Sequence, residues 1–224
     1  MTGNLLMKKR FLIFLACGAA LGLLIVSGLS CVSCLSYHES PTGHGLPTME
    51  SEFKSYITPE CPSVEEALQD ILGDPPHELS QAGFDDIRDW VAINIDYESD
   101  EQRWGIDDYW QTTEETLSYG TGDCEDFAIL LCSLLRAYGI DADRVYVALG
   151  LNDEKFGHAF LIEDWYHDGE WRRIESQAPA QLSSWHPRFG PPKLHPDSEL
   201  DEYEITAAFN DLYYYDESFP WDED

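Results

Sequence analysis

The stretch Gly122-Asp123-Cys124-Glu125-Asp126-Phe127-Ala128-Ile129-Leu130-Leu131-Cys132-Ser133-Leu134-Leu135-Arg136-Ala137-Tyr138-Gly139 carries its own start and stop signals. Asp123 is an N-cap residue able to accept a hydrogen bond from the Asp126 amide, which makes Cys124 the first helical residue. Gly139 ends the helix. Between them Phe127, Leu130, Leu131, Leu134 and Leu135 form a wide apolar stripe that needs a large surface to cover it. That surface follows at once, as β-rich runs at 144–149, 158–166 and 171–175. Upstream, Ser63-Val64-Glu65-Glu66 reads as a capping box opening a helix with Ala67, Leu68, Ile71 and Leu72, stopped at Gly73. A second helix is expected over 83–95, with Phe84, Ile87, Trp90, Val91 and Ile95 at helical spacing. A polar, aromatic stretch, 97–119, comes next, with a helical turn expected at 113–117. Helices first and strands second predict an α+β domain, its central helix packed on an antiparallel sheet.

Charge and hydropathy place this domain in a longer layout. The chain has 224 residues and a net charge of -30, from 13 basic and 43 acidic side chains. Such a field repels polyphosphates, so nucleic acid is not an expected partner. At 43% hydrophobic and 13% aromatic, the sequence is too apolar for an acidic disordered polymer. Residues 11–35 contain no charge, and about 20 apolar residues suffice to cross a bilayer. We read 11–35 as a retained transmembrane anchor, the alternative being a signal sequence, whose apolar region is shorter. Lys8, Lys9 and Arg10 then keep residues 1–10 cytoplasmic, with the remainder extracytoplasmic in a single-pass protein of the cell membrane. Past residue 38 the chain carries 10 basic against 43 acidic groups, or -33, with Lys54, Lys155 and Lys193 its only lysines. That imbalance suggests a salt-rich environment. Residues 36–62 read as a spacer, 63–197 as the folded domain with its core at 83–177, and 198–224 as an acidic, aromatic tail whose rings pack back on the domain. Cys61, Cys124 and Cys132 are an odd number of thiols, which excludes a complete disulfide framework outside the anchor.

Cys124 stands where a reactive cysteine is made. Unpaired amides and partial positive charge at a helix N-terminus favour thiolate and can bind an oxyanion. Asp123, Glu125 and Asp126 oppose this, since like charges disfavour the thiolate, so an imidazolium or a bound cation must offset them. His158 supplies the imidazole, on one strand face with Phe160 and Ile162. Glu175 alternates with Trp171 and Arg173 on the next strand. A two-residue hairpin at Asp168-Gly169 would pair Glu175 with Ile162, about 13 Å along the strand from His158. A loop over 164–169 would instead put Glu175 opposite His158. Only the latter register is expected to join the pair.

Gly122 to Ala128, Leu134 to Ile140, Gly157-His158-Ala159-Phe160 and 171–175 together resemble the transglutaminase-like superfamily over roughly residues 83–177. The resemblance implies a papain-like α+β core in which Cys124 is the nucleophile, His158 the base and later acid, and Glu175 the group orienting the imidazole. Members usually carry Asp in the last place, so Glu175 departs from the pattern. The Asp-Cys-Glu-Asp run most resembles bacterial transglutaminase-like cysteine proteases, some of which require calcium. Carried over, that implies a Ca²⁺ site at Asp123, Glu125 and Asp126, no other cofactor being required. The competing reading is N-capping by Asp123 and dipole compensation by Glu125 and Asp126. Trp110 and Gln111 lie upstream of the nucleophile, where papain-like enzymes place an oxyanion donor.

The expected function is that of a membrane-anchored cysteine peptidase or isopeptidase acting on a protein or peptide through a thioester. Two alternatives stand beside it: protein-glutamine transamidation by the same triad, and a non-catalytic binding or structural domain of the same fold. A metal-dependent hydrolase is disfavoured, because His158 and His167 lack partners spaced as zinc ligands.

Overall fold

The computed structural model describes residues 49–154, 156–177 and 203–216, all within the unit Val32–Asp224. Their order is α1 (Met49–Tyr56), α2 (Pro62–Leu72), α3 (Gln81–Asn94), β1 (Asp96–Tyr97), α4 (Asp100–Arg103), α5 (Thr113–Tyr119), β2 (Thr121–Gly122), α6 (Cys124–Tyr138), β3 (Val145–Leu151), β4 (Gly157–Glu163), β5 (Arg172–Ile174), β6 (Glu204–Phe209) and β7 (Tyr214–Tyr215). The last five strands form one antiparallel sheet in the order β5-β4-β3-β6-β7. This is the mixed helix and antiparallel-sheet architecture expected. No helix among the described residues is long and apolar enough to cross a membrane. The predicted transmembrane segment, 11–35, lies outside the described residues.

Helix α6 is the axis of the domain. It begins at Cys124 after the N-cap Asp123 and ends at Gly139, whose φ of 112° is the left-handed conformation that glycine adopts without strain. Every residue from Phe127 to Leu135 is fully buried, so the apolar stripe is in fact enclosed on all sides. Helices α2, α3 and α5 cover one side and strands β3 and β4 the other. The one hydroxyl in this run, Ser133, is satisfied by Thr113 Oγ1 at 3.0 Å and by the Thr58 amide at 3.1 Å. At the C-terminal end Arg136 forks onto Asp211 with contacts of 2.6 and 3.0 Å, tying the helix to the turn after β6. Leu131→Ala, in the middle of α6, is expected to cost about 2–5 kcal/mol through lost burial and a cavity. A lower urea midpoint with an unchanged slope would show it.

Several boundaries differ from the sequence reading for local reasons. Pro62 occupies the first turn of α2 behind Cys61, so the helix starts there and Ser63 is not its cap. Helix α3 starts at Gln81, because the Ser80 side chain accepts from the Gly83 amide. The expected turn at 113–117 is the longer α5, opened by a capping box between Thr112 and Glu115. The reading of 36–62 as spacer fails for its described part. Residues 49–56 are helical, Ile57 and Cys61 are buried in the core, and Phe53 stacks on Tyr214 at 5.7 Å. Cys61 is disulfide-bonded, whereas Cys124 and Cys132 are free.

The stretch read as a tail contributes two sheet strands. Phe209 is fully buried, and β6 pairs with β3. The pairing shifts between Leu149 and Gly150, opposite Ala207 and Ile205, and leaves Thr206 as the extra residue of a bulge. Its hydroxyl donates to the Leu149 carbonyl at 3.1 Å.

Candidate active site

The approach to Cys124 is fixed by a short parallel pairing. Asp96 and Tyr97 of β1 pair with Thr121 and Gly122 of β2, and amides of Asp96 and Glu98 donate to the carbonyls of Gly120 and Gly122. Arg103 secures the same strand from α4. It donates to Thr121 Oγ1 and to Glu98, each at 2.8 Å, with its guanidinium over both the Trp104 and the Tyr119 ring. Gly122 has no room for a side chain, because a Cβ there would lie 2.6 Å from the Asp126 Cβ.

The Cys124 Sγ donates to Glu125 Oε2 at 3.3 Å, and the nearby Ala159 amide, one peptide unit from His158, favours its thiolate. Burial is the main reason its thiol titrates well above the usual value, with Glu125 the next. His158 and Glu175 are brought together: the imidazole Nε2 donates to Glu175 Oε2 at 2.8 Å, with both side chains 3% exposed. The other carboxylate oxygen of Glu175 accepts from the Gln177 amide at 3.0 Å. Nδ1 is the ring nitrogen not engaged by Glu175.

Neither register considered from sequence is the one adopted. Leu161 pairs with Ile174, Ile162 with Arg173 and Glu163 with Arg172, around a loop of eight residues, 164–171. Continued by one position, this register sets Glu175 opposite Phe160 and diagonal to His158. A diagonal neighbour on the same sheet face is within reach of a long side chain. The departure from Asp to Glu therefore matches the register.

The oxyanion expectation for Trp110 and Gln111 is not met by their geometry. Trp110 Nε1 donates to Asp108 Oδ1 at 3.1 Å, and its ring packs on Phe53 and Tyr56 at 5.1 and 5.4 Å. Gln111 is buried and donates its side-chain amide to the Thr121 carbonyl and to Asp126 Oδ2. Its backbone amide donates to Asp126 Oδ1 at 2.8 Å. Gln111 thus holds Asp126 under the start of α6.

Asp123, Glu125 and Asp126 gather with two acids that sequence reasoning missed, Asp100 and Asp108. Ligand oxygens of Asp100, Asp108 and Glu125 lie within 4.8 Å of one another, as do those of Asp100, Asp123 and Asp126. Burial is the first cause of a raised pKa at each of Asp100, Asp123, Glu125 and Asp126. It carries Glu125 to about 10 and Asp126 to about 7, with Asp123 as the neighbouring charge for both. After burial, Asp123 is the next cause of the rise at Glu125. Asp123 Oδ1 is buried without a hydrogen-bond partner. In sequence Asp100 and Asp108 sit in a polar stretch with no periodicity; the β1–β2 pairing carries that stretch to Cys124.

Residues 66–176 match the family model of the transglutaminase-like superfamily, and the chain belongs to that superfamily. No curated protein matches the sequence. Among solved structures it is similar to Legionella pneumophila LapG in an EGTA-treated form, with 18% identity over 70% of this chain and 75% of that one, at a TM-score of 0.49. The calcium-bound form of the same protein gives 19% identity over 71% and 88%, at 0.48. A candidate cysteine protease from Cytophaga hutchinsonii gives 20% over 72% and 48%, at 0.43.

Proposed function

We propose that this protein is a membrane-anchored, extracytoplasmic cysteine amide hydrolase, a peptidase or isopeptidase acting on a protein or peptide. The observation that carries this reading is the buried His158–Glu175 pair, one peptide unit from the Ala159 amide that acts on the Cys124 sulfur. Glu175 holds the imidazole through Nε2, so Nδ1 takes the thiol proton as Cys124 attacks a carboxamide carbonyl. The tetrahedral oxyanion is received by the Cys124 amide at the start of α6. His158 then returns the proton to the departing amine, leaving a thioester. Water, deprotonated by the same imidazole, hydrolyses the thioester and restores the thiol. The anchor rests on the uncharged run 11–35 behind Lys8, Lys9 and Arg10.

The five acids are proposed as a Ca²⁺ site. Two oxygens on one calcium ion at about 2.4 Å can be at most about 4.8 Å apart, so each of two trios that share Asp100, one with Asp108 and Glu125 and one with Asp123 and Asp126, fits an ion. The unpartnered Asp123 oxygen supports the same reading. Asp100, Asp108, Asp123, Glu125 and Asp126 would supply the ligands, and the ion would neutralise the charge that opposes a thiolate at Cys124.

Alkylation tests the nucleophile directly. Cys61 is bridged and Cys132 fully buried, so among the described cysteines iodoacetamide should label Cys124 far faster than Cys61 or Cys132. His158→Ala is expected to slow this labelling at least tenfold near neutral pH. Equal rates in the two proteins would sink the hydrolase reading.

A further inference from the structure

Strand β6 lies beyond the residues matched by the superfamily model, yet it brings an aromatic ring to the imidazole. Tyr203 precedes the strand, and its ring centroid is 5.2 Å from that of His158, tilted by 41°, and 5.9 Å from that of Phe160. Two sequence features make this possible. The bulge at Thr206 re-phases the strand, so that Tyr203 and Ile205 share the sheet face of Phe160 and Ala208. Gly150 is the direct cross-strand partner of His158 on β3, and it leaves the space that Tyr203 occupies. A Cβ on Gly150 would lie 2.8 Å from the Tyr203 Cβ and 3.1 Å from Phe160 Cε1, closer than packed carbon atoms come.

We infer that Tyr203 is a positioning residue for His158: together with Phe160 it walls the imidazole so that the ring stays on Glu175 and water stays off their hydrogen bond. This rests on the proposed thiol chemistry and deepens it, because it makes the C-terminal strand part of the site. Excluding water strengthens the charge-assisted pair that His158 forms on accepting the thiol proton. A ring free to turn would lose alignment with the thiol, and errors of about 1 Å in such alignments cost up to about 10²-fold in rate.

The test is the rate of iodoacetamide labelling of Cys124 in the full-length protein, read by peptide mass. Tyr203→Ala should slow labelling about tenfold or more, and Tyr203→Phe should keep it within about twofold of wild type. In a His158→Ala background, Tyr203→Ala should have no further effect, since a residue acting through the imidazole has nothing left to position. Gly150→Ala displaces the same ring without removing it and should slow labelling likewise, which covers the case of a poorly folded Tyr203→Ala. Slowing by Tyr203→Ala that persists without His158 would overturn the inference, as would unchanged labelling in both Tyr203→Ala and Gly150→Ala. Wild type that labels no faster than His158→Ala would overturn the hydrolase reading as well, so the two failures are distinguishable.

Discussion

Glu175→Asp is expected to inactivate the site about as thoroughly as Glu175→Ala, although Asp is the usual acid in the superfamily that the chain resembles. Glu175 stands diagonal to His158 and closes the gap with a 2.8 Å hydrogen bond. Removing one methylene withdraws the carboxylate by about 1.5 Å. The contact would open to roughly 4 Å, beyond any hydrogen bond. Strand β5 cannot slide to compensate, because a one-residue slip would turn Ile174 away from the core it packs against. Loss of the orienting acid should reduce Cys124 reactivity about 10²-fold. The measurement is the alkylation rate for wild type, Asp and Ala, with far-ultraviolet circular dichroism to verify the fold. An Asp variant within twofold of wild type would defeat the register argument.

How much of this was legible in the sequence depended on how local the determinants were. Helix α6 is legible to the residue, since its cap, stripe and closing glycine all lie in one continuous stretch. Strands β3 to β5 were visible as β-rich runs, but their register was not. Eight loop residues admit several pairings of equal parity, and side-chain alternation cannot separate them. Strand β6 escaped because Glu204-Ile205-Thr206-Ala207-Ala208-Phe209 alternates poorly, and the reason is the bulge that turns Tyr203 toward His158. Trp110 and Gln111 are candidates by their position before Cys124 alone. Their donors are engaged by Asp108, Thr121 and Asp126, contacts that only the folded loop creates. Asp100 and Asp108 are legible solely in three dimensions, 24 and 16 positions upstream of Cys124 along an irregular segment.

Calcium should raise the thermal midpoint strongly at pH 8 and much less at pH 5. Burial raises the folded-state pKa of Asp126 to about 7 and that of Glu125 to about 10, above their unfolded values near 4. Without a cation, the protonated carboxyls therefore stabilise the fold. That contribution is complete below about pH 4 and is lost as pH rises, through about 7 for Asp126 and about 10 for Glu125. The cation-free protein is thus expected to be less stable at pH 8 than at pH 5. Calcium binds the deprotonated acids and releases their protons, so it opposes the loss where the loss is largest. At a hundredfold excess over its Kd the ion contributes about 2.7 kcal/mol. For a domain of this size that is a shift of roughly 5–10 °C. Asp123→Asn should remove most of the calcium-dependent shift, because it takes away the negative charge of the carboxylate whose buried oxygen has no protein partner. Differential scanning fluorimetry with Ca²⁺, Mg²⁺ and EGTA at both pH values reads all of this. Mg²⁺ should do less, since it demands a tighter octahedron than a wide ring of carboxylates provides. Identical midpoints in calcium and EGTA at pH 8 would leave the five acids without a calcium-binding role.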